Sequence, residues 1–235
     1  MKKLYRTISI LLTVCALLLS ETHYSQADVI SALVGEVNSD ALLGTLTFLT
    51  SYSSRYSYAV QEEVLAFIAT GLDDAGAAIR FHEYDYAGRT WHNLVATVPA
   101  DASLAPAEPH LVVGAHIDSV TAGPGADDNA SGVAAVMEAA RVLAGAPLNT
   151  RVDFVFFTLE ESGRIGSSHY AADASDAGEV IEAMIAADMV AFGSPDEDLE
   201  LVTKPTMAWL PEAFKDASDA YTTLNTRLLL DWACG

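Results

Sequence analysis

The chain has little cysteine, little basic charge and no apolar run long enough to cross a membrane. Only Cys15 and Cys234 occur among its 235 residues. Lys and Arg number 12 against 32 Asp and Glu, a net charge of −20. Such a surface repels nucleic acid and anionic membranes, so partners of both kinds are excluded. The run Ile8–Leu19 falls short of the roughly 20 apolar residues that a span requires.

That short run does fit a leader. Lys2, Lys3 and Arg6 precede it, and Ser25-Gln26-Ala27 follows with small residues at a plausible cleavage point. This is the layout of a secretory signal peptide over residues 1–27, which implies a secreted or periplasmic protein with no stable membrane association after cleavage. Removing it takes away Lys2, Lys3, Arg6 and Glu21 and leaves nine basic against 31 acidic residues, a balance of −22. Cys15 goes too. Cys234 is then an odd cysteine in an exported protein, which suggests a missing partner.

The remainder, residues 28–235, has the length and apolar content of one globular domain. Ala32–Tyr52 carries an apolar rhythm suited to one helix or two. In Tyr58–Asp74 the apolar positions Val60, Val64, Leu65, Ile68 and Leu72 recur at helical spacing, and Gly76 stops the pattern. Ala78–Asp85 and His92–Val98 read as strands around a turn at Gly88. Pro99–Pro109 is a polar, proline-rich loop.

Strands and helices then alternate. His110–Ala115, Val152–Thr158 and Ile181–Ala187 read as strands, and Ser131–Leu143 as a helix with Ser131 a candidate cap. A further helix begins at Gly166–Asp173. Leu199–Thr203 and Thr226–Leu230 complete the strands, and Leu210–Tyr221 the helices. The alternation predicts an α/β fold, three-layer α-β-α, with a mostly parallel mixed central sheet. Tyr221, Trp209 and Trp232 are candidates for an apolar pocket, although core packing is the simpler role.

In such sheets ligands bind beyond the carboxyl ends of the strands. Three ends carry ionisable residues: His116 with Asp118, the pair Glu160-Glu161, and Asp188. The loop Gly125–Gly132 adds Asp127 and Asp128. Singly, each has an ordinary role in a solvated loop or at a helix start. Together, so many carboxylates in one crevice repel one another, and a divalent cation removes the conflict. His with Asp and Glu is a donor set that zinc accepts.

His116-x-Asp118, Gly-Ala-Asp-Asp-Asn-x-Ser-Gly at 125–132, Glu-Glu-x-Gly-x-x-Gly-Ser at 160–167 and Ala-Asp188-Met together resemble the di-zinc aminopeptidases of the bacterial leucyl aminopeptidase type, over roughly residues 30–235. The resemblance implies hydrolysis of the first peptide bond at the N-termini of peptides or proteins, by an enzyme expected to be a monomer. It implies that His116 and Asp188 bind one zinc, that Asp128 bridges two, and that Glu161 binds the second. Glu160 would be the general base, and Asp118 would hydrogen-bond the second nitrogen of His116.

The resemblance also implies one more metal-binding histidine downstream, and none follows Asp188. It therefore implies that a C-terminal part, with that ligand, is missing from this chain, and that this polypeptide alone is a weak or inactive enzyme. Other readings stay open. A glutaminyl cyclase would use one zinc on Asp128, Glu161 and a later histidine. A zinc carboxypeptidase shares the His-x-Asp and Glu-Glu elements. A binding protein on a degenerate peptidase fold, or an acidic module without metal, would need no catalysis at all.

Overall fold

A computed structural model of the chain describes residues 26–98, 109–146, 148, 150–193 and 198–231. The expected leader lies outside them except for Gln26 and Ala27, which open the first helix. So do residues 99–108 of the proline-rich loop, Trp232 and Cys234.

The elements follow the hydrophobic pattern closely. Helices α1 (Gln26–Gly35), α2 (Ser39–Leu49) and α3 (Tyr58–Asp74) come first, then the hairpin β1 (Ala78–Tyr86) and β2 (Arg89–Val98). Next are β3 (His110–His116), α4 (Ala130–Leu143), β4 (Val152–Phe157), α5 (Ile165–Asp176) and β5 (Ile181–Ala186). The described chain closes with β6 (Leu199–Thr203), α6 (Trp209–Tyr221) and β7 (Thr226–Leu230). Among the described residues no single helix is long and apolar enough to cross a membrane.

Five strands form the central sheet in the order β1-β2-β4-β3-β5. β3 pairs parallel with both β4 and β5, while β2 is antiparallel to β1 and to β4. Four of the five strands therefore point one way. β6 and β7 form a separate parallel pair.

Successive residues of a strand face opposite sides, and both sides are covered. Leu94, Ala96, Val98, Leu111, Val113, Ala115, Phe154 and Phe156 join the apolar residues of α1–α4 in the main core. Val95, Val112, Val155 and Phe157 pack on Tyr170 of α5 in a smaller one. The result is the expected three layers.

Two local expectations change. Ser131 does not cap α4. Asn129 does, its side chain accepting the Gly132 amide, and Ser131 lies inside the first turn. The strand at 181–186 reads as buried but leaves Ile181, Met184 and Ala186 exposed. It is the edge of the described sheet, and periodicity does not report a strand's lateral position. Trp209 is likewise exposed at 46%, while Tyr221 packs partly against the main core.

Candidate metal centre

The parallel core of the sheet brings the candidate ligands level. His116 ends β3 and stands opposite Phe157, the last residue of β4. Ala187 donates its amide to the Gly114 carbonyl at 2.8 Å, which sets the end of β5 beside that of β3. β3 lies between β4 and β5, so its histidine falls centrally, with Glu160-Glu161 on one flank and Asp188 on the other.

Asp128 arrives from the loop that opens α4. Asn129 does two jobs there: it caps the helix and donates to the Ala187 carbonyl at 2.9 Å. Ser131 Oγ accepts the Val190 amide at 3.1 Å, and Asp127 Oδ1 accepts that of Ala191 at 3.0 Å. The segment after β5 is thereby fastened to the start of α4, and Asp188 is held near Asp128. Asp127 is thus a fastening residue. Gly125, at φ +57°, has no room for a side chain, because a Cβ would overlap the Asp128 carbonyl.

The donor atoms converge. His116 Nε2 lies 3.2 Å from Asp128 Oδ1 and 3.7 Å from Asp188 Oδ1. All three donors fall within 4.8 Å of one another. His116 is buried, whereas the side chains of Asp128 and Asp188 are 48% and 54% exposed, so the trio opens to solvent on its carboxylate side. A cavity of about 190 Å³ adjoins it, lined in part by His116, Phe157, Glu160, Met184 and Asp188. Glu161 stands outside the trio. Its Oε1 is buried and has no hydrogen-bond partner.

Asp118 stands beside His116 and has further partners on the backbone. Its Oδ1 is 3.4 Å from His116 Nδ1, an ion-pair distance without a formed hydrogen bond. Both its oxygens also accept from backbone: Oδ1 accepts the Glu160 amide and Oδ2 that of Glu161, each at 3.0 Å. The carboxylate is fully buried.

The electrostatics describe a crowded acidic site. Burial raises Glu160, and Asp118, Asp188 and Asp128 push it further, against a lowering from His116. Burial also raises Glu161, followed by the charge of Asp128. For His116 burial works downward, but Asp118 and Asp188 outweigh it and lift the imidazolium to about 10. The ion-pair partner of both Asp128 and Asp188 is His116.

A second cluster supplies the contrast. His110, Asp153 and Glu179 also bring donors within 4.8 Å, at the opposite ends of the same strands. There a protein cation fills the space. Arg151 sits 2.9 Å from His110 Nε2, 2.9 Å from Glu179 and 3.4 Å from Asp153. The first cluster has its own histidine as the partner of both aspartates, together with an orphaned buried carboxylate oxygen. Its residues fit a bound divalent ion, and those of the second do not. The other histidines are engaged elsewhere: His82 with Asp173 at 2.9 Å, His92 with Glu62 at 3.0 Å, and His169 stacked on Tyr84.

Residues 93–230 match the model of Peptidase family M28. The chain belongs to this family. Leucine aminopeptidase 1 of Arthroderma otae is 26% identical over 244 residues, covering 91% of this chain and 62% of the relative. The chain thus spans less than two thirds of the length of this relative. In fold it is similar to the LapA aminopeptidase of Legionella pneumophila, with a TM-score of 0.75 at 22% identity over 90% of this chain and 58% of that one. The glutaminyl cyclase of Porphyromonas gingivalis also shares the fold, with a TM-score of 0.66 at 22% identity over 83% and 76%.

One residue beside the site gives no sign in the sequence. Arg55, fully buried between α2 and α3, donates to the carbonyls of Leu49, Ile117, Pro124 and Gly125. Its amide donates to Ser119 Oγ at 2.9 Å. Burial lowers its guanidinium to about 10, while Asp118, Asp128 and Glu161 favour the charge. It is a cation that braces the loop between β3 and α4 from behind. No periodicity or motif around Tyr52–Ser57 marks it.

Proposed function

We propose that this chain carries the zinc-binding and general-base residues of an M28 aminopeptidase, which removes single residues from the free N-termini of peptides. The observation that carries the reading is the trio of His116, Asp128 and Asp188, whose donor atoms converge within 4.8 Å of one another beside the strand ends, in a member of this family.

His116 and Asp188 would hold one zinc, Asp128 would bridge to a second, and Glu161 would hold that second ion with its buried oxygen. Bound zinc supplies a Lewis acid that polarises the peptide carbonyl and makes water a better nucleophile. Glu160 takes a proton from the attacking water and returns it to the leaving amine. Its raised affinity for protons suits both halves of that transfer. Asp118 holds the backbone beneath Glu160 and Glu161. The carboxylates around the trio suit a substrate with a free, cationic amine. A secreted or periplasmic location and a monomeric state complete the proposal, the first resting on the leader-like residues 1–27.

The test compares leucine p-nitroanilide with its N-acetylated form. The reading expects release from the free amine, however slow, to depend on zinc, with none from the blocked compound and loss of the activity in Glu160→Gln. Equal turnover of both compounds would overturn it. The fold shared with glutaminyl cyclases supports a second reading, in which cyclisation of an N-terminal glutamine peptide outruns its hydrolysis.

A further inference from the structure

Beyond Phe157 the chain leaves the sheet, and the next amides lose their ladder partners. Buried amides without partners cost about 1–3 kcal/mol each, so a bend at this depth needs acceptors from elsewhere. Side chains supply all four. Thr158 N donates to Asn93 Oδ1 at 3.0 Å, and Leu159 N to Gln61 Oε1 at 3.3 Å. Glu160 N and Glu161 N donate to the two oxygens of Asp118 at 3.0 Å. The acceptors come from β2, α3 and the end of β3, and all three residues are fully buried.

The bend they hold is an unfavourable one. Leu159 sits at φ +56°, where a branched side chain is strained. The return path is tied as well. Thr158, Leu159 and Glu160 carbonyls accept the amides of Gly166, Ile165 and both Gly163 and Arg164. Asn93 Nδ2 donates to the Gly166 carbonyl at 2.8 Å, so one side chain grips both ends of the 158–166 loop. Gly166 has no space for a Cβ, which would overlap the Thr158 carbonyl. Gln61 is anchored in turn by its own donation to the Tyr56 carbonyl at 3.0 Å.

We propose that Gln61 and Asn93 are positioning residues: with Asp118 they form a three-residue cradle that clamps amides 158–161 and so aims the carboxylates of Glu160 and Glu161 at the metal cluster. The inference rests on the zinc-site reading above. Neither residue touches the cluster. Each acts through the backbone, as outer partners of metal ligands do.

The experiment compares the chain with Gln61→Met, Gln61→Glu and Asn93→Leu, by hydrogen exchange read on peptides covering 158–166 and by zinc titration. Gln61→Met removes the acceptor at similar size, and Gln61→Glu keeps an oxygen for Leu159 N and, with its carboxyl protonated in this buried place, a donor for the Tyr56 carbonyl. The cradle predicts exchange at 158–161 about tenfold faster or more in Gln61→Met and Asn93→Leu, with α4 peptides unchanged. It predicts zinc affinity about 10–100-fold weaker in both, and recovery of both readouts towards the parent in Gln61→Glu. Parental exchange at 158–161 in the Met and Leu variants would overturn it, as would faster exchange with unaltered zinc affinity. If Asn93→Leu does not fold, the two Gln61 variants make the same comparison. A parent that binds no zinc would defeat the functional reading instead, and the exchange data would still decide whether the clamp exists.

Discussion

His116 Nε2 stands 3.2 Å from Asp128 Oδ1, a contact made across the loop that joins β3 to α4. In the metal-free protein a proton on the histidine occupies the position that zinc would take. Its folded value of about 10 lies above the usual 6.5. A group raised in this way stabilises the fold fully below 6.5, and that contribution is lost as pH rises through about 10. Zinc must displace this proton, so it competes best at high pH. The rise in Tm on adding zinc should therefore be larger at pH 8.5 than at pH 6. Calorimetry of chelator-treated protein at the two pH values checks this.

The proposed ligands differ in how many ions each serves. His116→Ala and Asp188→Asn should each remove one ion and leave the other bound more weakly. Asp128→Asn should weaken both, because the bridging position is shared. Isothermal titration with zinc should show one lost step for the first two variants and two weakened steps for the third.

Arg55 gives a stability prediction. Replacing it with Met leaves the carbonyls of Ile117, Pro124 and Gly125 without their donor in a buried place. At about 1–3 kcal/mol for each unsatisfied group, the loss should reach about 3 kcal/mol or more. Arg55→Lys should recover only part of it, since one ammonium cannot reproduce the planar fork. Urea denaturation of the two variants measures the difference.

Asn129→Ala separates cap from fastening. Loss of the α4 cap should cost about 1 kcal/mol. Loss of the donation to Ala187 should also let the Asp188 segment drift from Asp128. Zinc affinity should then fall by more than the stability change implies. A Ser131→Ala variant, which frees the Val190 amide but leaves the cap, should lower affinity with a smaller loss of stability.

Much of this site was legible in the sequence because its chemistry is local. His116 follows a seven-residue strand buried along its whole length, and such a strand announces its own end. Asp128, Glu160, Glu161 and Asp188 occupy short loops with distinctive neighbours. The helix at 58–74 and the strands at 199–203 and 226–230 were equally plain, since their apolar spacing is regular. What was not legible is long-range and polar. Arg55, Gln61 and Asn93 are buried polar side chains whose partners are backbone groups far along the chain. Nothing in their neighbourhood distinguishes them from surface residues. Asp118 was recognised beside His116, but its second task was hidden, because the amides it also accepts belong to a bend formed only after β4 packs on β3. The exposure of β5 follows from sheet order, which its own sequence does not encode.

The central claim is that the His116 cluster, and not the Arg151-filled one, is the metal site. Anomalous diffraction at the zinc edge from crystals grown with zinc tests it directly. The account predicts a strong peak between His116, Asp128 and Asp188, and none between His110, Asp153 and Glu179. No peak at the first cluster, or a peak at the second alone, would contradict it.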